Sequence, residues 1–128
     1  MKKNETIAVG LMIAATILTV IGIFAIEKFR LAKFYTLNLT ARAPENGNWY
    51  PQEFTLPYGQ KVNLRIRNIE TVTHGFAIPD LKVAVSEIKA GQVKSVQFTP
   101  DKKGTFPFMC TVWCSENHMQ MRGKITVE

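Results

Sequence analysis

Cys110-Thr111-Val112-Trp113-Cys114-Ser115-Glu116-Asn117-His118-Met119-Gln120-Met121 gathers two thiols, one imidazole and two thioethers into twelve residues. The whole chain has two cysteines and two histidines, and this stretch holds three of the four. The remaining histidine, His74, lies 36 residues before Cys110. Thiolate, imidazole and thioether form a soft ligand set that suits copper rather than magnesium or calcium. The spacing is Cys-x3-Cys-x3-His-x2-Met. Cys114, His118 and Met121, joined by a distant upstream histidine, make the ligand list of a mononuclear copper site. Cys110 adds a second thiolate, and two thiolates this close can instead bridge two copper ions. Met109 and Met119 fall outside the spacing and read as packing residues.

The same residues admit other chemistry. Two cysteines in an exported domain commonly form a disulfide, but that leaves both histidines and Met121 without a role. A Cys2His2 zinc site is a second option, with no use for the methionines. His74 by itself reads as a satisfied core histidine, and its meaning comes from the partner motif.

Outward from this stretch the chain alternates in short runs. Tyr35–Arg42 and Lys61–Asn68 show the period of two expected of half-buried strands, with Val62, Leu64 and Ile66 on one face. Phe54 and Leu56 begin a short strand. Thr71–Ile78 carries His74 and reads as a strand end or irregular edge, broken by Pro79-Asp80. Val83, Val85 and Ile88 suggest a further short strand or a loop wall, Val93–Phe98 alternates again, Thr105–Cys110 leads into the ligand stretch and Lys124–Glu128 is the closing strand, while 43–53 and 99–104 are rich in turn formers. Short strands with frequent turn signals predict an all-β sandwich of seven or eight strands.

The ligand stretch, together with Thr73-His74-Gly75-Phe76 and Met121-Arg122-Gly123-Lys124, resembles the binuclear copper A (CuA) domain of haem-copper oxidase subunit II and of the C-terminal part of nitrous oxide reductases. The likeness covers roughly residues 55–128. It implies the Greek-key cupredoxin version of the β-sandwich, with the strand-borne ligand and the loop ligands meeting at one end. It also implies two copper ions bridged by Cys110 and Cys114, with His74 and His118 each on one ion. Met121 and the backbone carbonyl of Val112 would be the weak ligands. In oxidase subunits the Val112 position is typically a glutamate that also reaches a magnesium site; valine keeps the carbonyl and loses the carboxylate. The implied partners are subunit I of a haem-copper oxidase, or another membrane redox partner, and an external donor such as cytochrome c or a small copper protein. A free-standing anchored carrier serving nitrous oxide respiration is the alternative. Two histidines cannot also build that reductase's catalytic cluster. A copper chaperone of thioredoxin-like fold would need βαβ units, and no helical period long enough appears outside the N-terminal segment.

That segment, Ile7–Ile26, runs for 20 residues without a charge. At about 1.5 Å per residue it makes a helix roughly 30 Å long, the thickness of a bilayer core. It exceeds a signal-peptide core and ends in a poor cleavage site, so the chain divides into an anchor with a short linker, 1–33, and a copper domain, 34–128. Basic residues flank both ends of the helix and leave the orientation near a tie. The resemblance places the C-terminal domain outside the cell membrane.

The chain carries a formal net charge of +6. Residues 34–128 contain 11 basic and 8 acidic residues, a mixed surface of net +3. No basic run alternates with aromatics, which argues against nucleic acid as a partner. No catalytic residues are evident: there is no Ser/His/Asp set once the histidines are ligands, no phosphate loop and no paired carboxylates. Phe76, Phe108 and Trp113 are candidates for a dry shell around the thiolates.

Overall fold

A computed structural model describes residues 2–31 and 34–128. The helix end and short linker expected at 27–34 fall partly outside the described residues, at 32–33; 27–31 is still helix. The chain falls into two compact units, Met1–Lys33 and Phe34–Glu128.

The first unit is one helix, α1 (Lys3–Leu31). Glu5 sits in its first turn and Lys28 and Arg30 in its last, signs that complement the helix dipole. Its large apolar side chains, among them Leu11, Met12, Leu18 and Phe24, are exposed. It is long and apolar enough to cross a membrane. Its two mid-helix threonines need no outside partner. Thr16 Oγ1 donates to the Ile13 carbonyl and Thr19 Oγ1 to the Thr16 carbonyl, both at 2.8 Å.

The second unit is a sandwich of eight strands: β1 (Tyr35–Ala41), β2 (Glu53–Leu56), β3 (Val62–Asn68), β4 (His74–Ile78), β5 (Val83–Ile88), β6 (Val93–Phe98), β7 (Gly104–Met109) and β8 (Arg122–Val127). One sheet has the order β1-β3-β6, the other β2-β8-β7-β4-β5. β1 pairs parallel to β3, and β2 parallel to β8. The alternation in β3 buries Val62, Leu64 and Ile66 against Phe76, Ile78, Phe108 and Ile125 of the facing sheet.

Asn68 continues the buried face of β3 with a polar side chain that is fully used. Its Nδ2 donates to the carbonyls of Val72 (2.7 Å) and Ile88 (2.8 Å), and its Oδ1 accepts the Glu70 N–H at 2.9 Å. This pins the segment between β3 and β4. β4 departs from the expected edge position: it is interior, between β7 and β5. The expected irregularity is present as a register shift between His74 and Phe76. A bulge of this kind re-aims side chains, and here His74, Gly75 and Phe76 are buried in succession.

Candidate metal centre

β3 and β7 run toward one end of the sandwich, and β4 and β8 leave it. β4 starts there with His74. β7 ends there at Met109 and hands the chain to Cys110. The loop then makes one 3-10 turn, His118–Gln120, before β8. Its neck is closed by the Cys110 N–H donating to the Met121 carbonyl at 3.0 Å.

All six residues expected from the sequence come together. Cys110 Sγ and Cys114 Sγ are 3.9 Å apart. This is about twice a disulfide bond length, and both cysteines are free. His74 Nδ1 lies 3.8 Å from Cys110 Sγ, and His118 Nδ1 lies 3.5 Å from Cys114 Sγ. Met121 Sδ is 3.6 Å from Cys114 Sγ, and the Val112 carbonyl oxygen is 3.2 Å from Cys110 Sγ. Donors about 2.0–2.3 Å from a shared metal stand roughly 3.3–3.8 Å from one another in tetrahedral geometry. The observed separations are of that size, so the donor set fits a soft metal. Cys110, His74 and Met121 are buried, and Cys114 is half-buried.

Gly75 admits the loop. A Cβ there would collide with Thr111 Oγ1 and press on Val112 and the Ser86 carbonyl. Its N–H points at Cys110 Sγ across 3.5 Å. Below the site the dry shell is Phe76, Phe108 and Trp49, with ring centroids 5.6–5.7 Å apart. Trp49 is buried and its Nε1–H donates to the Met121 carbonyl at 3.2 Å. Trp113, expected in this shell, is instead 70% exposed, because it sits on the outer side of the loop. Met119, expected to pack, is also exposed.

The turn-rich segment before β2 braces the loop from one side. Glu45 accepts from the Asn117 amide at 2.6 Å and its backbone N–H at 3.3 Å. Asn48 Nδ2 donates to the Gln120 carbonyl at 3.0 Å. Glu70, not anticipated from sequence, lies against the site. Its Oε2 takes the His74 Nε2–H at 2.8 Å and the Ala43 N–H at 2.7 Å, and its Oε1 is held by Asn46 Nδ2. This holds the His74 ring with Nε2 against the carboxylate and Nδ1 toward Cys110 Sγ. Four-residue spacing in an irregular segment carries no signal of such contact, because the contact depends on the Asn68 bonds that shape 69–73.

Charges follow from these contacts. Burial works against the charged form of Glu70, but Asn46, the Ala43 N–H and His74 outweigh it and hold the carboxyl below its usual range. Burial opposes charge on His74, yet hydrogen bonds to Cys110 and Glu70 raise its pKa. Burial works to raise the Cys110 thiol, but His74 and the Gly75 N–H pull it below the ordinary thiol range. Cys114 is pushed up to about 12, by burial first and then by the charge on Cys110. The two thiols are thus pushed in opposite directions, Cys110 down and Cys114 up.

A two-sheet sandwich with a Cys/Cys/His/Met cluster on the loop before its last strand, joined by a histidine from an earlier strand, is the architecture of a cupredoxin. The chain belongs to the cupredoxin-like domain family, whose profile matches residues 15–127. It is 37% identical over 103 residues to the nitrous-oxide reductase of Cupriavidus necator, a match that spans 78% of this chain but 15% of that protein. It is 33% identical over 84 residues to the alternative cytochrome c oxidase subunit 2 of Bradyrhizobium diazoefficiens, covering 66% of this chain and 28% of that one. The match thus spans under a third of either relative. Among solved structures, a chain of a heme-copper terminal oxidase dimer superposes with a TM-score of 0.63 at 21% identity, covering 100% of both chains. This likeness is one of fold.

Proposed function

We propose that this chain is an electron-transfer protein, anchored by α1, that carries a binuclear copper centre and serves as subunit II of a haem-copper terminal oxidase. The relationship to oxidase subunit II and to nitrous-oxide reductase is consistent with copper electron transfer. The observation that carries the binuclear reading is the arrangement about the two sulfurs. Each has its own imidazole and its own weak donor within 3.9 Å: His74 and the Val112 carbonyl for Cys110, and His118 and Met121 for Cys114. One tetrahedral ion uses four donors; six donors arrayed about a sulfur pair suit two.

When bound, the copper pair supplies a one-electron redox couple. The protein's part is to hold the donors still. Cys110, Cys114, His74 and His118 would hold the copper, and Met121 and the Val112 carbonyl would be weaker donors that tune its potential. Glu70 fixes the His74 ring, and Trp49, Phe76 and Phe108 exclude water from the inner side. Rigid support of this kind limits rearrangement between oxidation states.

The reading places the sandwich outside the cell membrane, with a cytochrome c or small copper protein as donor and haem in subunit I as acceptor. Copper analysis and electron paramagnetic resonance test the centre. Two ions per chain and one unpaired electron shared over two nuclei are expected, and one ion with a localised electron would refute it. A second reading, a free-standing anchored carrier in nitrous oxide respiration, draws support from the 37% identity to the reductase over most of the sandwich. Extraction in mild detergent separates the two, since only the oxidase subunit brings a haem-bearing partner with it.

A further inference from the structure

Three methionines converge on one side of the ligand loop, and the metal centre described above uses only one of them. Met109 ends β7, Met119 sits in the 3-10 turn after His118, and Met121 directly precedes β8. Together with Cys110, His118 and Arg122 they line one cavity of about 50 Å³. Met121 is fully buried, Met109 is half-buried and Met119 is 64% exposed, so the thioethers form a series from solvent inward. Packing does not account for Met119, because an apolar side chain left in water gains nothing from burial. The opposite side of the centre is built differently. There a wider cleft reaches Cys114 between Glu45 and Glu70. Both carboxylates are already engaged, Glu45 by Asn117 and Glu70 by Asn46, Ala43 and His74.

We propose that Met119 and Met109 form a capture site for incoming copper(I), from which each ion passes inward to Cys110 and His118. A thioether is a soft donor that selects copper(I) over hard cations. It is neutral, so it holds the ion more weakly than a thiolate does, and transfer runs inward. A cavity of this size takes about one or two waters at about 30 Å³ each, too few to hydrate a divalent ion. Arg122 stands exposed opposite Met109 in the β7–β8 register and places a positive charge at the rim. Repulsion scales with the charge of the ion, so the rim opposes a divalent cation roughly twice as strongly as copper(I). The step is a ligand exchange. A copper–thioether bond breaks as a copper–thiolate bond to Cys110 forms, and the proton of any thiol that binds goes to water. Copper stays in the +1 state and nothing is oxidised. This inference rests on the copper-centre reading above.

The test loads the full copper-free, reduced chain in detergent, alongside Met119→Leu, Met109→Leu, the double variant and Met12→Leu. Leucine keeps the apolar bulk and removes the sulfur. Met12, 71% exposed on α1, is the control. Copper(I) is mixed in as its acetonitrile complex without oxygen, and uptake is followed by the ultraviolet thiolate-to-copper absorbance. Zinc(II) uptake is followed separately with a chromophoric chelator. Final copper content is recorded, with the resonance spectrum after one-electron oxidation by ferricyanide. Silver(I), a redox-inert analogue of copper(I), is titrated into the Cys110→Ser/Cys114→Ser chain carrying isotope-labelled methionine methyls. Copper(I) uptake should slow by about ten-fold in the double variant, equivalent to about 1.4 kcal/mol in the barrier, with the single variants between and Met12→Leu at the parental rate. Zinc uptake should stay within about two-fold, since zinc takes cysteine, histidine and carboxylate ligands rather than thioethers. All variants should reach the same copper content and spectrum, and silver should shift the Met109 and Met119 methyls. The inference is overturned if the double variant loads copper(I) at the parental rate, or if silver shifts the Met121 methyl alone. It is also overturned if zinc uptake slows by the same factor as copper(I), which would make the two methionines props for the loop. Two ions per wild-type chain in any of these cases leave the copper reading standing and sink the capture site alone. A wild-type chain that takes up one ion overturns the binuclear reading instead, without touching the comparison of loading rates.

Discussion

Replacing Glu70 by alanine should weaken copper binding without touching a ligand. In the native protein the His74 Nε2–H reaches the Glu70 carboxylate at 2.8 Å, and His74 is fully buried. Removing the carboxylate leaves a buried donor without its partner and frees the ring to turn. A hydrogen bond to a charged group contributes about 1.5–3 kcal/mol. Loss of a partner behind a metal-bound histidine typically lowers affinity about 10–100-fold, equivalent to about 1.4–2.8 kcal/mol. The two routes agree, so Glu70→Ala should lose affinity by one to two orders of magnitude. Glu70→Gln keeps an acceptor oxygen and loses the charge, so its loss should stay within about ten-fold. Competition against a chromophoric copper chelator at fixed pH measures both, with thermal unfolding of the copper-free proteins as a control for folding. An alanine variant that binds within about two-fold of the parent, or alanine and glutamine variants with equal losses, would show that the contact does not orient His74.

Three further outcomes follow from the same geometry. Cys110→Ser should abolish the shared-electron resonance and leave at most a mononuclear site on His74, Cys114, His118 and Met121, whereas Met121→Leu should keep both metals and shift the potential; the opposite ranking would invert the roles assigned here. Copper loading should tighten with pH by about ten-fold per unit for each proton released, because the Cys114 thiol, with a pKa of about 12, is protonated at neutral pH and must give up its proton to bind; a flat profile in chelator competition would contradict this. Gly75→Ala should destabilise the sandwich by about 1–3 kcal/mol through overpacking, lowering Tm by at least about 4 °C, since its Cβ would strike Thr111 and Val112.

The parts of the molecule that follow from local pattern were legible in the sequence. β3 alternates because one face is buried, and Cys110, Cys114, His118 and Met121 stand out as candidate donors by their spacing, whereas His74 took its meaning from them and the Val112 carbonyl came only from the family resemblance. β4 misled because Pro79 and a short apolar run resemble an edge, whereas the strand is interior and is made irregular by the bulge at Gly75. The two tryptophans show the limit most clearly. Trp113 is adjacent in sequence to a ligand and Trp49 is remote, yet Trp49 lies under the site and Trp113 faces solvent. Which side of a loop a residue occupies is set by long-range contacts, here the Trp49 hydrogen bond to Met121 and the clasp of Glu45 on Asn117. Glu70 was hidden for the same reason, since Asn68 folds the segment that presents it.

The hydrogen bond between Cys110 and Met121 gives the ligand loop the character of an interchangeable cassette. Its two ends are already joined across 3.0 Å, at the first residue after β7 and the last before β8. A change in loop length therefore leaves the strand termini where they are, and closing a somewhat longer or shorter flexible loop alters the free energy by only about 0.6 kcal/mol per doubling. Evolution can then exchange the metal chemistry of such a domain, from one ion to two or to none, by rewriting a dozen residues while the sheets beneath go on folding as before.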